Sequence, residues 1–166
     1  MPVKAKYRFG KNAVVRIAPI PAGSIAADGT VSKPAPGDFE VLCLPNSVSI
    51  GLQNGSIDLE NFCTGGKTIK VRDGTQNGTF EISESNWIED DAALEILEDA
   101  VQSTAETGGW VYVEVLPLGI GSGKPSYDLI VDVMEWSMTI PSKGFITVQT
   151  QNISVLEGPL KGTQPV

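Results

Sequence analysis

The sequence predicts a mainly β domain that carries a single helix. Of its 166 residues, 18 are glycine and 11 are proline, a composition that indicates many turns. Short runs of alternating apolar and polar residues recur along most of the chain, which is typical of half-buried strands. Only one stretch, from Asp90 to about Thr104, has apolar residues at helical spacing. A chain of this length suits one domain and can bury a core without a metal or disulfide.

The predicted helix is the feature around which the other elements are arranged. Asp90 or Asp91 can cap its first free backbone amides, and Gly108-Gly109 provides a stop after it. One face of the helix is apolar and comprises Ala93, Leu94, Leu97 and Val101. The strand that leads into the helix is expected to run from Thr79 to Ile88, with Trp87 and Ile88 anchoring the helix entrance.

Several strands are expected before the helix. They are residues 12–18, 39–44 and 47–52, followed by a hairpin in which Ile57 and Leu59 share a face with Ile69 and Val71. Such a register places Asp58 and Glu60 opposite Lys70 and Arg72 on the outer face, as favourable cross-strand pairs. Asp73-Gly74 and Asn77-Gly78 are read as turns.

After the helix, the sequence predicts an interior strand and then a long hairpin. Residues 110–118 are apolar on both faces, which favours a central position in a sheet. Residues 127–140 and 145–155 form the hairpin around the turn Pro141–Gly144. Its apolar residues change face partway along, so the ribbon is expected to bulge and bend, towards a second sheet or towards a neighbour. Residues 159–166 are expected to be a loose tail.

Residues 19–37 are expected to form a long flexible loop. They contain Pro, Gly, Ser and Ala with hardly a large apolar side chain. Loops of this length in compact domains are usually functional or disordered. Docking on a partner is the event expected to order this one.

Charge is distributed unevenly along a chain whose net charge is −8. Five of the twelve basic residues fall in the first sixteen positions, whereas residues 73–123 carry eleven acidic residues and no basic one. Residues 1–18 are therefore a basic arm and strand, in which the arm carries Lys4, Lys6, Arg8 and Lys11. This polarity fits ordinary solvation of two surfaces, and it also fits self-association through arm and acidic helix.

The composition disfavours most kinds of catalytic site. With no histidine in the chain, Ser-His and Cys-His catalysis and most transition-metal sites are excluded, and no cofactor is expected. Cys43 and Cys63 are read as buried thiols. Residues 119–126 (GIGSGKPS) only superficially resemble a phosphate-binding loop, because Pro125 follows the lysine and a strand, instead of a helix, comes next. They are expected to be a flexible connection.

The order of elements resembles the major tail tube proteins of long-tailed, siphovirus-like bacteriophages. The resemblance covers residues 39–158 and depends on three segments: SIDLENF (56–62), TFEISESNWIEDDAALEILEDAV (79–101) and the closing hairpin YDLIVDVMEWSMTIPSKGFITVQTQNISVLEG (127–158). It implies a β-sandwich or partial barrel of two packed sheets with one flanking helix. It also implies a non-enzymatic virion protein, made in the bacterial cytoplasm, whose rings, generally hexameric, stack into a tube for DNA ejection.

The resemblance also implies roles for particular residues and partners. Channel-lining acids are expected among Asp58, Glu60, Glu81 and Glu84, because an acidic lumen repels phosphates. Contacts between rings are assigned to the long loop, through Pro19, Ser24, Asp28 and Lys33, with the basic arm as second candidate. Other copies of the chain, tape measure, tail terminator and baseplate or tail-tip proteins are the implied partners, and DNA passes without specific binding.

Two alternatives stay open at this stage. The tube of a contractile injection or type VI-like machine has the same architecture and conducts proteins or pierces a membrane. A non-catalytic β-sandwich binding module, such as a carbohydrate-binding domain, belongs to a different class and normally exposes aromatic residues on one sheet face. The chain has only eleven aromatic residues, most of them at positions expected to lie in the core.

Overall fold

The computed structural model describes residues 12–43, 45, 47–59, 69–105 and 108–165. This part of the chain contains one helix, α1 (Ala92–Gln102), and two 3-10 turns, Ala22–Ser24 and Pro36–Asp38. Its strands are β1 (Val14–Pro19), β2 (Glu40–Val41), β3 (Val48–Leu59), β4 (Ile69–Ile82), β5 (Ser85–Asn86), β6 (Trp110–Leu116), β7 (Pro125–Thr139) and β8 (Thr147–Thr163). No helix within these ranges is long and apolar enough to cross a membrane.

The strands form two antiparallel sheets, which confirms the mainly β class with one helix. The larger sheet has the order β2-β1-β6-β7-β8-β5, and β3 pairs with β4 in a separate two-stranded ribbon. Helix α1 covers one face of the larger sheet. The main core lies between them and includes Ile17, Phe80, Leu97, Val113 and Val131. The interior position expected for residues 110–118 is confirmed, since β6 lies between β1 and β7.

The helix begins where the sequence indicates. Asp91 is the N-cap, and its side chain accepts a hydrogen bond of 2.9 Å from the backbone amide of Leu94. The strand expected from Thr79 to Ile88 is shorter than predicted, because β4 ends at Ile82 and a separate β5 follows. Trp87 and Ile88 are 37% and 51% exposed, so they do not anchor the helix entrance.

Ribbon β3–β4 confirms the predicted hairpin but is longer than the sequence suggested. Asp58 pairs with Lys70 across the strands, at 4.0 Å between side-chain O and N. The Asp73-Gly74 signal marks a β-bulge rather than a turn, since Gly55 alone faces residues 73–75. Gly74 has a φ of 85°, a left-handed conformation that favours glycine.

Gly78 lies in the middle of β4, where the sequence suggested a turn. A Cβ atom at this position would lie 2.6 Å from Cγ1 of Val155 and would also collide with the carbonyl oxygen of Gly158. Glycine is therefore required by the close approach of β8. The second sheet meets the first at this contact.

Hairpin β7–β8 contains the predicted bulges, at register shifts between Asp128 and Val131. The expectation of a loose tail is wrong, because β8 continues to Thr163. Gln164 is 7% exposed, and its side chain hydrogen-bonds the amide of Gly121 and the carbonyl of Gly119. These bonds, together with bonds from Lys124 to two carbonyls, close the glycine-rich loop, in contrast to the flexible connection expected from its sequence.

The expected burial of Cys43 is also wrong, since its side chain is exposed; Cys63 lies outside the described residues.

Substituting Gly78 with alanine is expected to lower the free energy of unfolding by about 1–3 kcal/mol, because the added methyl collides with β8 backbone. Urea denaturation followed by tryptophan fluorescence measures the change. Gly37→Ala is the matched control, since beyond its own chain neighbours nothing lies within 4 Å of the point that its Cβ would occupy. Equal stability of the two variants would contradict the close contact between β4 and β8.

Candidate functional site

A row of charged side chains crosses the centre of the larger sheet on the face opposite α1. Strand pairing places Arg16 of β1 beside Glu114 of β6, and Glu114 beside Asp128 of β7. Glu114 is 1% exposed, and Arg16 donates a hydrogen bond to it. A carboxylate this deeply buried needs cationic partners, because desolvation strongly disfavours the charged form.

The long loop supplies the second cation of this row. The ammonium group of Lys33 bonds Glu114 and lies 3.1 Å from a carboxylate oxygen of Asp128. With Lys33 the row contains two positive and two negative charges; without it, two negative charges are balanced by one positive charge. We call Arg16, Lys33, Glu114 and Asp128 the ion cluster.

Aromatic rings complete the surroundings of the ion cluster. The guanidinium of Arg16 lies 4.7 Å from the centroid of the Phe39 ring, and Lys33 Nζ lies 5.9 Å from that of Tyr112. The two rings meet edge to face at 5.9 Å. Burial and the neighbouring carboxylate of Asp128 raise the pKa of Tyr112, so its hydroxyl keeps its proton.

The pKa values of Glu114 and Lys33 are both shifted in the direction that favours the charged form. Burial alone raises the pKa of Glu114, but hydrogen bonds from Arg16 and Lys33 outweigh it and leave the pKa below its ordinary value. Burial likewise lowers the pKa of Lys33, yet hydrogen bonds to Glu114 and Asp128 leave it above its ordinary value. The cluster is therefore an electrostatic attachment between the loop and the sheet.

The loop packs on its own sheet, which differs from the expectation that a partner is needed to order it. Ile25 and Val31 form a bridge and pack against a second core group that includes Ala18, Tyr112 and Ile130. The loop contains few large apolar residues, and its buried ion pair joins positions 81 residues apart. Neither contact is therefore visible in the composition of the loop itself.

The residues assigned to contacts between rings occupy different environments. Pro19 ends β1 and is exposed, and Ser24 and Asp28 are exposed on the loop. Asp28 accepts a hydrogen bond of 2.9 Å from the amide of Thr30, which lowers its pKa and fixes the turn at the loop tip. Lys33 belongs to the ion cluster, so its ammonium group is already engaged within the chain. The arm residues Lys4, Lys6, Arg8 and Lys11 lie outside the described residues.

The acids assigned to a channel do not form one cluster. Glu81 is exposed on the face of β4 that points away from Phe80 and Ile82, and Glu84 is exposed between β4 and β5. Alternation along β3 places Asp58 on the opposite face from Ser49, the partner of Glu81. Glu60 lies outside the described residues. Within the part of the chain that is described, no group of three His, Cys, Asp or Glu side chains could hold a metal ion.

Open strand edges occur on β3 and on the distal part of β7, where no described strand pairs with them. Strand β3 pairs only with β4, so its outer edge is open from Val48 to Leu59. Strand β7 pairs with β6 only as far as Asp132, so its edge is open from Met134 to Thr139. Unpaired edges are places where a strand of another chain can add.

Replacing Lys33 with methionine is expected to lower the free energy of unfolding by about 1–3 kcal/mol, because Glu114 keeps only one of its two cations; the partial exposure of Lys33 limits the loss. Chemical denaturation measures it. Lys143→Met removes an exposed lysine and serves as the control. Retention of wild-type stability by the Lys33 variant would show that the attachment contributes nothing.

The ion cluster also predicts a pH dependence. The pKa of Glu114 is lowered in the fold, so its stabilisation is complete above the ordinary value of 4.5 and is lost as the pH falls through the folded-state pKa. The pKa of Lys33 is raised, so its contribution is complete below 10.5 and is lost as the pH rises through its higher folded-state value. Glu114→Gln should flatten the acid limb of a stability-against-pH curve; an unchanged limb contradicts this assignment.

Known proteins resemble this chain in fold rather than in sequence. No protein-family model and no curated protein matches it. Among solved structures, the chain is similar to one from the tail of an empty gene transfer agent (GTA) particle, refined as a helix with C6 symmetry. The TM-score is 0.61 at 9% identity, and the match covers 95% of this chain and 99% of that one. The chain therefore has the fold of a tail protein from a phage-like particle.

Proposed function

We propose that this chain is the tail tube subunit of a phage or phage-like particle. In this proposal, copies form rings, and the rings stack into a hollow conduit for DNA. The likeness to a tail protein from a six-fold symmetric particle supports this class of function. The observation that carries the proposal is the presence of open strand edges on β3 and on the distal part of β7.

In the proposed ring, the smaller sheet lies beside β8 of the larger one, which gives one layer with the strand order β3-β4-β8-β7. Strands β3 and β4 are antiparallel, as are β8 and β7. Strand β5 follows β4 after two residues and pairs antiparallel with β8. If the β5–β8 register is continued back into β4, Gly78 lies opposite Val155, and these two residues are in contact. Strand β4 therefore runs antiparallel to β8. Neighbouring strands thus alternate in direction, and β7 of one copy and β3 of the next are antiparallel as well. Copies can therefore join edge to edge into a closed barrel.

Ring closure also has a suitable size. If six copies each contribute four strands, about 24 strands spaced ~4.8 Å apart give a circumference of roughly 115 Å and a backbone diameter of about 37 Å before tilt. A DNA duplex fits within this diameter. Closure covers both edges of every subunit, which removes the risk of uncontrolled strand pairing.

The layer has one face towards α1 and one away from it. With α1 on the outside of the ring, the other face lines the channel, and Glu81 lies on it. An acid there repels the DNA backbone and avoids the contacts that make DNA adhere. Asp58 and Glu84 are weaker candidates, because neither shares this strand face. The exposed loop tip at Ser24 and Asp28 is the proposed contact with the next ring.

A contractile injection tube stays a second candidate, because the fold alone does not distinguish the cargo. The non-catalytic binding module is less favoured than either tube, since a binding module has no need of two complementary open edges.

Purified protein at high concentration is expected to form rings or tubes with a central channel, visible by negative-stain electron microscopy and eluting early in sizing chromatography. The reason is the pair of complementary edges on β3 and β7. A reconstruction of the tube then shows which face lines the channel and whether the loop tip meets the next ring. Rings in which the β3 and β7 edges stay apart would refute the proposed assembly.

A further inference from the structure

Large apolar side chains are exposed at the end of the molecule where hairpin β7–β8 turns. Ile140 and Phe145, one on each side of the turn, are 72% and 81% exposed. The backbone amide of Trp87 donates a hydrogen bond of 2.9 Å to the carbonyl oxygen of Ile146, which places the segment before α1 beside this turn. We define the hairpin-end patch as Trp87, Ile88, Ile140 and Phe145. A group of exposed apolar residues of this size is typical of an interface.

Acidic residues border the hairpin-end patch. Glu89 directly follows Ile88, and Glu84 lies just before β5; both are exposed. Neither belongs to an ion pair within the part of the chain that the structure describes. Asp90 adds a third exposed acid, whereas the turn itself carries one basic residue, Lys143. A partner that is both apolar and basic would complement this end of the molecule.

The opposite end of the larger sheet carries such a combination. Val14, at the start of β1, pairs with Leu116 at the end of β6, and the glycine-rich loop follows. Asn12 lies against this loop, since a Cβ atom at Gly119 would be 2.8 Å from the carbonyl oxygen of Asn12. Ile120 of the loop is 61% exposed. The basic arm precedes Asn12, so it joins the described chain beside an exposed apolar side chain. We call Ile120 and the basic arm together the arm end.

The sequence of the basic arm matches the chemistry of the hairpin-end patch. Lys4, Lys6 and Arg8 stand at alternate positions, and Tyr7 and Phe9 follow the last two of them. In an extended chain, this alternation gives one apolar side and one basic side. The arm thus combines aromatic rings for the patch with cations for the acids that border it.

The arm of the same chain cannot reach its own hairpin-end patch. Strand β7 runs from the level of the start of β1, at Tyr127, to the turn after Thr139. That path is about 40 Å at ~3.3 Å per residue. Tyr7 precedes Asn12 by five residues, so it lies at most about 18 Å from Asn12. The occupant of the patch therefore belongs to another copy.

We infer that the hairpin-end patch of one copy binds the arm end of a second copy. Ile120 and the apolar side of the arm pack on Ile140 and Phe145. The basic side of the arm faces Glu84 and Glu89. Each chain carries a net charge of −8, so copies repel one another except where surfaces of opposite charge meet, as they do here.

This contact differs from the edge-to-edge ring because it joins the two ends of the sheet. In a barrel, strands tilt by roughly 35–45° from the axis, so the two ends of one strand lie at opposite rims. The contact rests on the proposed function only for its place between successive rings. It is heterologous and joins unlike ends, so it can extend a stack without limit.

Charge reversal tests the contact. Glu84→Lys together with Glu89→Lys is expected to raise the concentration needed for tube formation about tenfold or more, while single rings still form. Lys6→Glu together with Arg8→Glu should have the same effect. The four substitutions in one chain should restore tubes, because both surfaces then change sign and the net charge returns to its original value.

The control for charge reversal changes two exposed acids of α1. Glu95→Lys together with Asp99→Lys alters the net charge as much as the reversal at Glu84 and Glu89, but away from the patch, and should leave tube formation unchanged. Circular dichroism verifies that each variant is folded.

Cross-linking locates the contact. In protein carrying Cys43→Ser and Cys63→Ser, one variant has Ile120→Cys and another has Phe145→Cys. Mixing the two under oxidation is expected to give disulfide-linked pairs that neither variant forms alone. Ser154→Cys, at an exposed position in the middle of β8, is the control and should not link to Ile120→Cys.

The outcomes separate this contact from the proposed tube. Tubes that form normally from the charge-reversed pairs overturn the contact and leave the tube proposal standing. A mixture of Ile120→Cys and Phe145→Cys that gives no links also overturns the contact, whether or not rings form. Links between these two variants, with no rings or tubes from the wild type, support the contact and count against the proposed function.

Discussion

The buried carboxylate of Glu114 sets the constraint on which the sheet-and-loop half of the molecule depends. Glu114 lies on the central strand β6 and is 1% exposed. The adjacent strand β1 supplies a cation, Arg16, and the adjacent strand β7 supplies a second acid, Asp128. Two cations are needed to balance the two acids of this row. Arg16 of β1 provides the first, and Lys33 of the long loop provides the second. The contact of Lys33 with Glu114 and the packing of Ile25 and Val31 together hold the loop on the sheet.

The other half of the molecule lacks such an internal constraint. Ribbon β3–β4 and the distal part of β7–β8 extend beyond the helix and the loop, and their side chains are exposed over long stretches. An isolated two-stranded ribbon is marginally stable in water, because it buries too little apolar surface for the entropy it loses. In the proposed tube, strands of neighbouring copies would stabilise them by adding at their edges.

Local features of the fold could be predicted from the sequence, whereas long-range features could not. The N-cap of α1, the hairpin pairing of Asp58 with Lys70 and the bulges of β7 all follow from residues that are close along the chain. The sequence indicated a turn at Gly78. Glycine is required there because β8, which is far away in the sequence, leaves no room for a side chain. Glu114 looked like one acid of an alternating strand, since its two cations lie 98 and 81 residues away. The polar composition at the end of β8 indicated a loose tail. This segment is a strand because it pairs with the beginning of β7, which its composition does not reveal.

In the proposed tube, the division between these halves would let one chain be both a stable subunit and an assembly component. The ion cluster and the second core group lie over β1, β6 and the proximal part of β7, and they need no neighbour. Strand β7 belongs to both halves: its first residues lie under the loop, and its last residues carry the open edge. A change in the position of the loop would therefore act on the strand that, in the proposed ring, meets the next copy. Coupling between stacking and ring contacts, if the proposed tube forms, would pass through this single strand.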